Sequence, residues 1–181
     1  MTMSPRNKTL IFDLEATGLL RQGSKIHCMV VRDVDNPDET LVFDHRPDQT
    51  IEMGVELLLR ADTLINHNLL GYDIPLIQES YDFDFQGQVI DTLVMSRLYY
   101  PEDVITERDY ERRPPGMPQS LYGRHSLDAW GYRLKVLKGD YGKQSNAWDK
   151  YTPEMLDYCK QDTLVTLELF KRLMRRMEEF S

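Results

Sequence analysis

The chain has 181 residues, 41% of them hydrophobic and 29% charged, a composition that builds one domain with a sizeable core. No apolar run approaches the roughly 20 residues a membrane span needs, and the opening MTMSPRNK has no apolar signal region, so no membrane partner and a cytoplasmic location are expected. The net charge of -8 argues against a protein that grips long duplex DNA through its phosphates, but not against an enzyme that holds a few nucleotides through metal ions.

The first third reads as β structure. TLIFDLEA, IHCMVVRDV and TLVFDH have strand character, and the cluster DNPDE, Asp35 to Glu39, reads as the turn between the last two. Together they predict an antiparallel meander. The pattern then changes. Ile51 to Arg60 has helical spacing, DTLINHN is a short apolar strand, and a helix is expected after Asp73 through IPLIQES. GQVIDTLVMSRLYY reads as a strand ending near Asp91 and then a helix, with Asp91 as its cap. Alternating β and α units after a meander imply an α/β architecture, a mixed central sheet with helices on its faces.

Residues 100–118 carry Pro101, Pro114, Pro115 and Pro118 and charges of both signs, and are expected to form a flexible loop inside a single domain spanning 1–181. Its Arg108, Arg112 and Arg113, with Arg124 just after, either cover a bound strand or are solvated. HSLDAWGYRLKVL predicts a helix. The final segment is a longer one, capped by Thr152 with Pro153 in its first turn. Leu156, Cys159, Thr163, Thr166, Phe170, Leu173 and Met177 form its apolar stripe, and the late KRLMRR run reads as a solvated helix end. Cys28 and Cys159 sit in no metal-type or C-x-x-C spacing and are read as reduced and structural.

Three acidic features remain. On the first strand, Asp13 and Glu15 point to the same face, because side chains alternate along a strand. Two carboxylates there are either a solvated strand end or a site for a hard divalent cation, which offsets their repulsion. In INHNLLGYDIP, Asp73 is either a helix cap or a further ligand. In YCKQD, Tyr158 and Asp162 share a helix face at i and i+4, either as a half-buried hydrogen-bonded pair or as functional groups.

Taken in order, D-x-E, N-x-x-x-x-D and Y-x-x-x-D resemble the DnaQ-like 3′→5′ exonucleases of the DEDDy subgroup. FDLEATG is similar to the first motif, NHNLLGYD to the second and YCKQD to the third. Tyr158 decides the subgroup. The sister subgroup has a histidine five residues before the last aspartate, where this chain has Asp157. IDTLVMSRL and HSLDAWGYRLKVLKGDYG further resemble the proofreading exonuclease domain of bacteriophage family A DNA polymerases.

The resemblance implies an RNase H-like, DnaQ-like exonuclease fold and two divalent ions, Mg²⁺ or Mn²⁺, held by Asp13, Glu15, Asp73 and Asp162. Asp13 would bridge both ions, Glu15 and Asp162 would complete the nucleophile-side site, and Asp73 would serve the leaving-group side. Tyr158 would orient the attacking water. Thr17, Gly18, Leu19, Asn68 and Tyr72 would line the terminal nucleotide, Leu19 being equally suited to core packing. His67 reads as a hydrogen-bonded neighbour of the site, and Tyr99 and Tyr100 as packing residues. The implied partners are the 3′ end of single-stranded DNA and a separate DNA polymerase. The sequence ends at Ser181 with no polymerase region following, so a free-standing enzyme, a subunit or an excised domain are all open. An exoribonuclease of the same fold and a non-catalytic binding subunit are the rival readings.

Overall fold

The computed structural model describes residues 8–18, 23–136 and 147–181. Five strands form one sheet: β1 (Thr9–Ala16), β2 (Ile26–Asp33), β3 (Asn36–Phe43), β4 (Thr63–Asn66) and β5 (Gln88–Asp91). Their order across the sheet is β3-β2-β1-β4-β5. β1 to β3 are antiparallel neighbours, whereas β4 runs parallel to β1 and β5 parallel to β4. The expected mixed sheet is therefore present, with β1 at its centre.

Alternation along β1 decides what each face does. Leu10, Phe12 and Leu14 enter one core with Met29, Val31 and helix α1 (Ile51–Leu59), which contributes Ile51, Val55 and Leu58. Ile11 points the other way, onto Leu167 of the long helix α6 (Pro153–Glu179). Cys28 and Val30 of β2 meet Met155 and Cys159 of α6 on that same side. The odd-numbered residues of β1 therefore face α6, and Asp13 and Glu15 are among them. At about 1.5 Å per residue, this 27-residue helix is about 40 Å long. Thr152 caps it, its hydroxyl accepting from Met155 N at 3.1 Å.

Two expectations fail. The second hairpin turns earlier than DNPDE: β3 starts at Asn36, paired with Asp33, and Asp33 Oδ1 accepts from Asp35 N at 3.0 Å. β3 is an edge strand with a largely exposed first half, so Pro37 is tolerated and no apolar alternation marks its start. The flexible loop expected at 100–118 is largely helix α4 (Glu102–Arg112). Its prolines flank the helix instead of interrupting it, and Glu102 and Asp103 suit its first turn. One buried carboxylate anchors it: Asp109 takes the Arg133 guanidinium in two bonds of 2.9 and 2.7 Å. Arg133 lies on α5 (Leu127–Leu134). The remaining helices, α2 (Ile74–Gln78) and α3 (Thr92–Tyr99), follow β4 and β5 as the βα pattern predicts.

Candidate active site

The carboxylates gather where β1 and β4 end. Glu15 is buried and Asp13 half-buried. The β1–β2 register shifts between Glu15 and Ala16, a bulge at the strand end that carries both acids. Asp73 is 2% exposed, at the end of a wide turn (Leu69–Asp73) leading into α2. Burial drives its carboxyl well above the usual range, and the Asp13 charge pushes in the same direction, as does Asp91. Asn66, at the end of β4, donates its amide across a long 3.5 Å to Asp13 Oδ1 and partly offsets the upward shift of the Asp73 carboxyl. It is thus a neutral spacer between two like charges.

Tyr72 registers the same field. Its phenol is pushed up to about 12 by burial first, then by Asp73, Glu15 and Asp13. It stays a neutral donor, its hydroxyl donating a hydrogen bond to the Gly18 carbonyl at 3.2 Å. Gly18 has φ 72, and Tyr72 ties this turn to the Asp73 segment. Leu19 lies outside the described residues.

α6 supplies the other side. The Cys159 thiol donates to the Asp13 carbonyl at 3.4 Å, and ligand atoms of Asp13, Glu15 and Cys159 lie within 4.8 Å of one another. Burial holds the thiol protonated, with Cys28 and the two acids adding to the effect. A protonated thiol is a poor ligand for a hard cation, so Cys159 is a packing and positioning group here. Both cysteines are free and buried, as expected. Asp162, one turn beyond Cys159 on the same helix face, is buried. Tyr158 is half-buried, its ring edge-on to Trp148 at 5.6 Å.

Besides Asn66, two participants were missed by sequence, His27 and Trp148. His27 Nε2 lies 2.8 Å from Thr17 Oγ1 and donates to the Trp148 carbonyl at 3.1 Å. Trp148 in turn holds Tyr158. A chain from Thr17 through His27 and Trp148 to Tyr158 thus spans the site. Burial lowers the His27 pKa, which keeps the ring neutral. No local motif marks these residues, because His27 lies 10 positions from Thr17 and 121 from Trp148.

Beside the carboxylates, Asn68 adopts a left-handed conformation, φ 63, that asparagine tolerates better than most residues. Its N–H and that of Leu70 are held by the two Asp91 oxygens at 3.0 and 3.1 Å. Asp91 also caps α3 through Leu93 N at 2.9 Å, as predicted. His67 sits between Thr92 Oγ1 and the His125 carbonyl, hydrogen-bonded as expected. Tyr100 is buried, in agreement with the packing role.

No protein-family model matches the chain. Over 192 aligned residues it is 30% identical to the DNA-directed DNA polymerase of Escherichia phage T7 and, equally, to that of Enterobacteria phage T3. The alignment takes in 91% of this chain and 26% of each polymerase, so the chain spans about a quarter of the length of these relatives. Among solved structures, Brucella melitensis NrnC bound to pGG superposes with a TM-score of 0.64 at 20% identity, covering 97% of this chain and 76% of that one. The Aedes aegypti Nibbler EXO domain gives 0.62 at 13% identity, covering 97% and 82%. The chain has the DnaQ-like exonuclease fold. A chain with this fold, related in sequence to part of two phage DNA polymerases, thus carries the acidic cluster, whose hard carboxylate oxygens suit a divalent cation. Among the described residues, no helix is long and apolar enough to cross a membrane.

Proposed function

We propose that this chain is a 3′→5′ exonuclease that hydrolyses DNA from its 3′ end, in replication or DNA processing of the phage type, and releases nucleoside 5′-monophosphates. One observation carries most of the weight. Asp73 is buried, and its carboxyl is driven upward by burial and by the negative charge of Asp13. Such a cluster is costly by itself and favourable around a cation.

The donor set consists of hard carboxylate oxygens, which suits Mg²⁺ or Mn²⁺. Asp13, Glu15, Asp73 and Asp162 would hold two ions, with Tyr158, Asp13, Glu15, Asp73 and Asp162 as the catalytic set. When bound, the ions would neutralise charge at the phosphate and polarise the attacking water. The residues do the rest. Tyr158, braced by Trp148, would aim a water at phosphorus through its hydroxyl. Asn66 would hold the Asp13 and Asp73 carboxylates in place. Thr17, Gly18, Leu19, Asn68 and Tyr72 would line the terminal nucleotide, with the neutral Tyr72 phenol fixing the Gly18 turn.

DNA is favoured over RNA because the 30% identical relatives are DNA-directed DNA polymerases. The same relatives support a separate DNA polymerase as partner, a cytoplasmic setting and a single exonuclease domain over 1–181. The test is degradation of 5′-labelled single-stranded DNA and RNA of one sequence with Mg²⁺, Mn²⁺ or chelator. A metal-dependent ladder shrinking from the 3′ end of DNA, absent in Asp13→Ala, is the expected result. Shortening of RNA alone overturns the sugar assignment. No cleavage of either strand overturns the enzymatic reading.

A further inference from the structure

A basic cavity lies against the C-terminal half of α6. Arg108, Arg112 and Arg113 from α4 and its C-cap, Lys135 after α5, and Arg172 and Arg175 from α6 line one cavity of about 610 Å³. Among the described residues, Arg133 is its seventh cation and Asp109, already bonded to Arg133, its one carboxylate. In a chain of net charge -8 this is a marked local reversal. The basic run late in α6 and the arginines near the prolines, each unremarkable in sequence, converge here.

The cations are held close together. The Tyr100 ring has the Arg108 guanidinium 5.2 Å and the Arg176 guanidinium 5.4 Å from its centre, and its hydroxyl accepts from Arg172 Nε at 3.0 Å. Among the described residues, the ion pairs in this region are Arg133–Asp109 and Arg176–Glu179. The six cations named first form none. Two of them, Arg113 and Lys135, occupy left-handed C-cap positions, φ 45 and 58, where glycine is the usual choice. A helix C-terminus favours a nearby cation, but that preference does not require the left-handed position. Trp130, 3% exposed, also lines the cavity, and its indole Nε1 is a buried donor without an acceptor.

We infer that this cavity binds the phosphates of a polynucleotide strand upstream of the bond being cut. Guanidinium forks match phosphate oxygens in two bonds each, and arginine beside aromatic rings suits single strands. Arg172 and Arg175 lie 10 and 13 residues beyond Asp162 on α6, about 15 and 20 Å at the helical rise. A stacked strand rises about 3.4 Å per nucleotide, so it reaches the cavity about five nucleotides from the acidic cluster. A dinucleotide stops short. The cavity would supply the grip on phosphate that the acidic site lacks.

The inference rests on the nuclease reading for its substrate, and the test separates the two. Arg112→Glu and Arg175→Glu alter exposed side chains, and Arg60→Glu at the C-cap of α1 is the charge-matched control. Binding of a fluorescent strand of about ten nucleotides, and of a dinucleotide, is followed by anisotropy in chelator over a salt series, and cleavage with Mg²⁺ is followed in parallel. The cavity variants are expected to bind the long strand on the order of tenfold more weakly. Their salt slope falls by about 0.7 for each phosphate that is no longer neutralised. KM rises for the long strand with kcat retained, dinucleotide cleavage is unchanged, and Arg60→Glu behaves as wild type. Cavity variants that bind and cut the long strand like Arg60→Glu overturn the proposal while leaving the nuclease intact. Absent cleavage with length-dependent binding lost in Arg175→Glu supports the cavity and overturns the nuclease.

Discussion

The thiol of Cys159 donates to the main-chain carbonyl of Asp13 across 3.4 Å, joining α6 to the strand that carries two of the clustered acids. Both partners sit where β1 and α6 pack, so this bond ties the helix that carries Asp162 to the strand that carries Asp13. Cys159→Ala removes the donor and leaves a small void in a fully buried position, at a cost of about 1–2 kcal/mol. Cys159→Ser keeps a donor. The expected outcome is a lower urea midpoint for both, with a raised Mg²⁺ requirement for cleavage only in the alanine variant. Equal Mg²⁺ titrations for wild type and Cys159→Ala would remove the positioning role.

Asp73 gives the metal-free protein a distinctive pH dependence. Its folded pKa lies well above the ordinary 3.8, so between those two values the folded state holds a proton that the unfolded chain has released. Its contribution to stability is present below the ordinary value and is lost as pH rises through the raised one. His27 and His125 act oppositely. Burial lowers both below 6.5, so their contribution is present above 6.5 and is lost as pH falls from there through the lowered values. Thermal melts in chelator are expected to show Asp73→Asn more stable than wild type near neutral pH, with the difference vanishing in acid. Divalent ion at 100 times its Kd should add about 2.7 kcal/mol to wild type and much less to Asp73→Asn. A wild-type melting temperature unmoved by millimolar Mg²⁺ would count against the metal site.

How much of this was legible in sequence follows from how far apart the interacting residues are. The strands at 9–16 and 26–33 were readable because local composition carries their pattern, and the Asp13–Glu15 pair because two residues on a strand share a face. α4 was not readable. Its anchor is Asp109, which binds Arg133 24 residues later and also accepts from Gly123 N, while the helix itself is charged and flanked by proline. Asn66, His27 and Trp148 were missed for the same reason. Each acquires its role only when the sheet and α6 bring remote positions together.

Asp91 tests the support of the Asn68 turn. It caps α3 and holds two N–H groups of the preceding turn, so it satisfies donors on both sides of the β5–α3 junction. Asp91→Ala orphans them together. A loss of about 2–4 kcal/mol is expected, from one cap and two further buried bonds. Asp91→Asn keeps the acceptor on one side and should lose about half as much. Chemical denaturation of the two variants checks the ratio, and hydrogen exchange at Asn68 and Leu70 should rise in both.

Tyr158 separates chemistry from packing. Its ring rests edge-on against Trp148, so Tyr158→Phe keeps that packing and removes only the hydroxyl. If the hydroxyl orients the attacking water, kcat falls by about 10²–10³ with little change in melting temperature or in KM. Trp148→Ala instead loosens the ring and the carbonyl that His27 Nε2 reaches at 3.1 Å. That variant should lose stability as well as rate. Single-turnover cleavage beside thermal melts distinguishes them. A Tyr158→Phe enzyme with full kcat would assign the tyrosine to packing, and the orientation of the water would pass to the carboxylates alone.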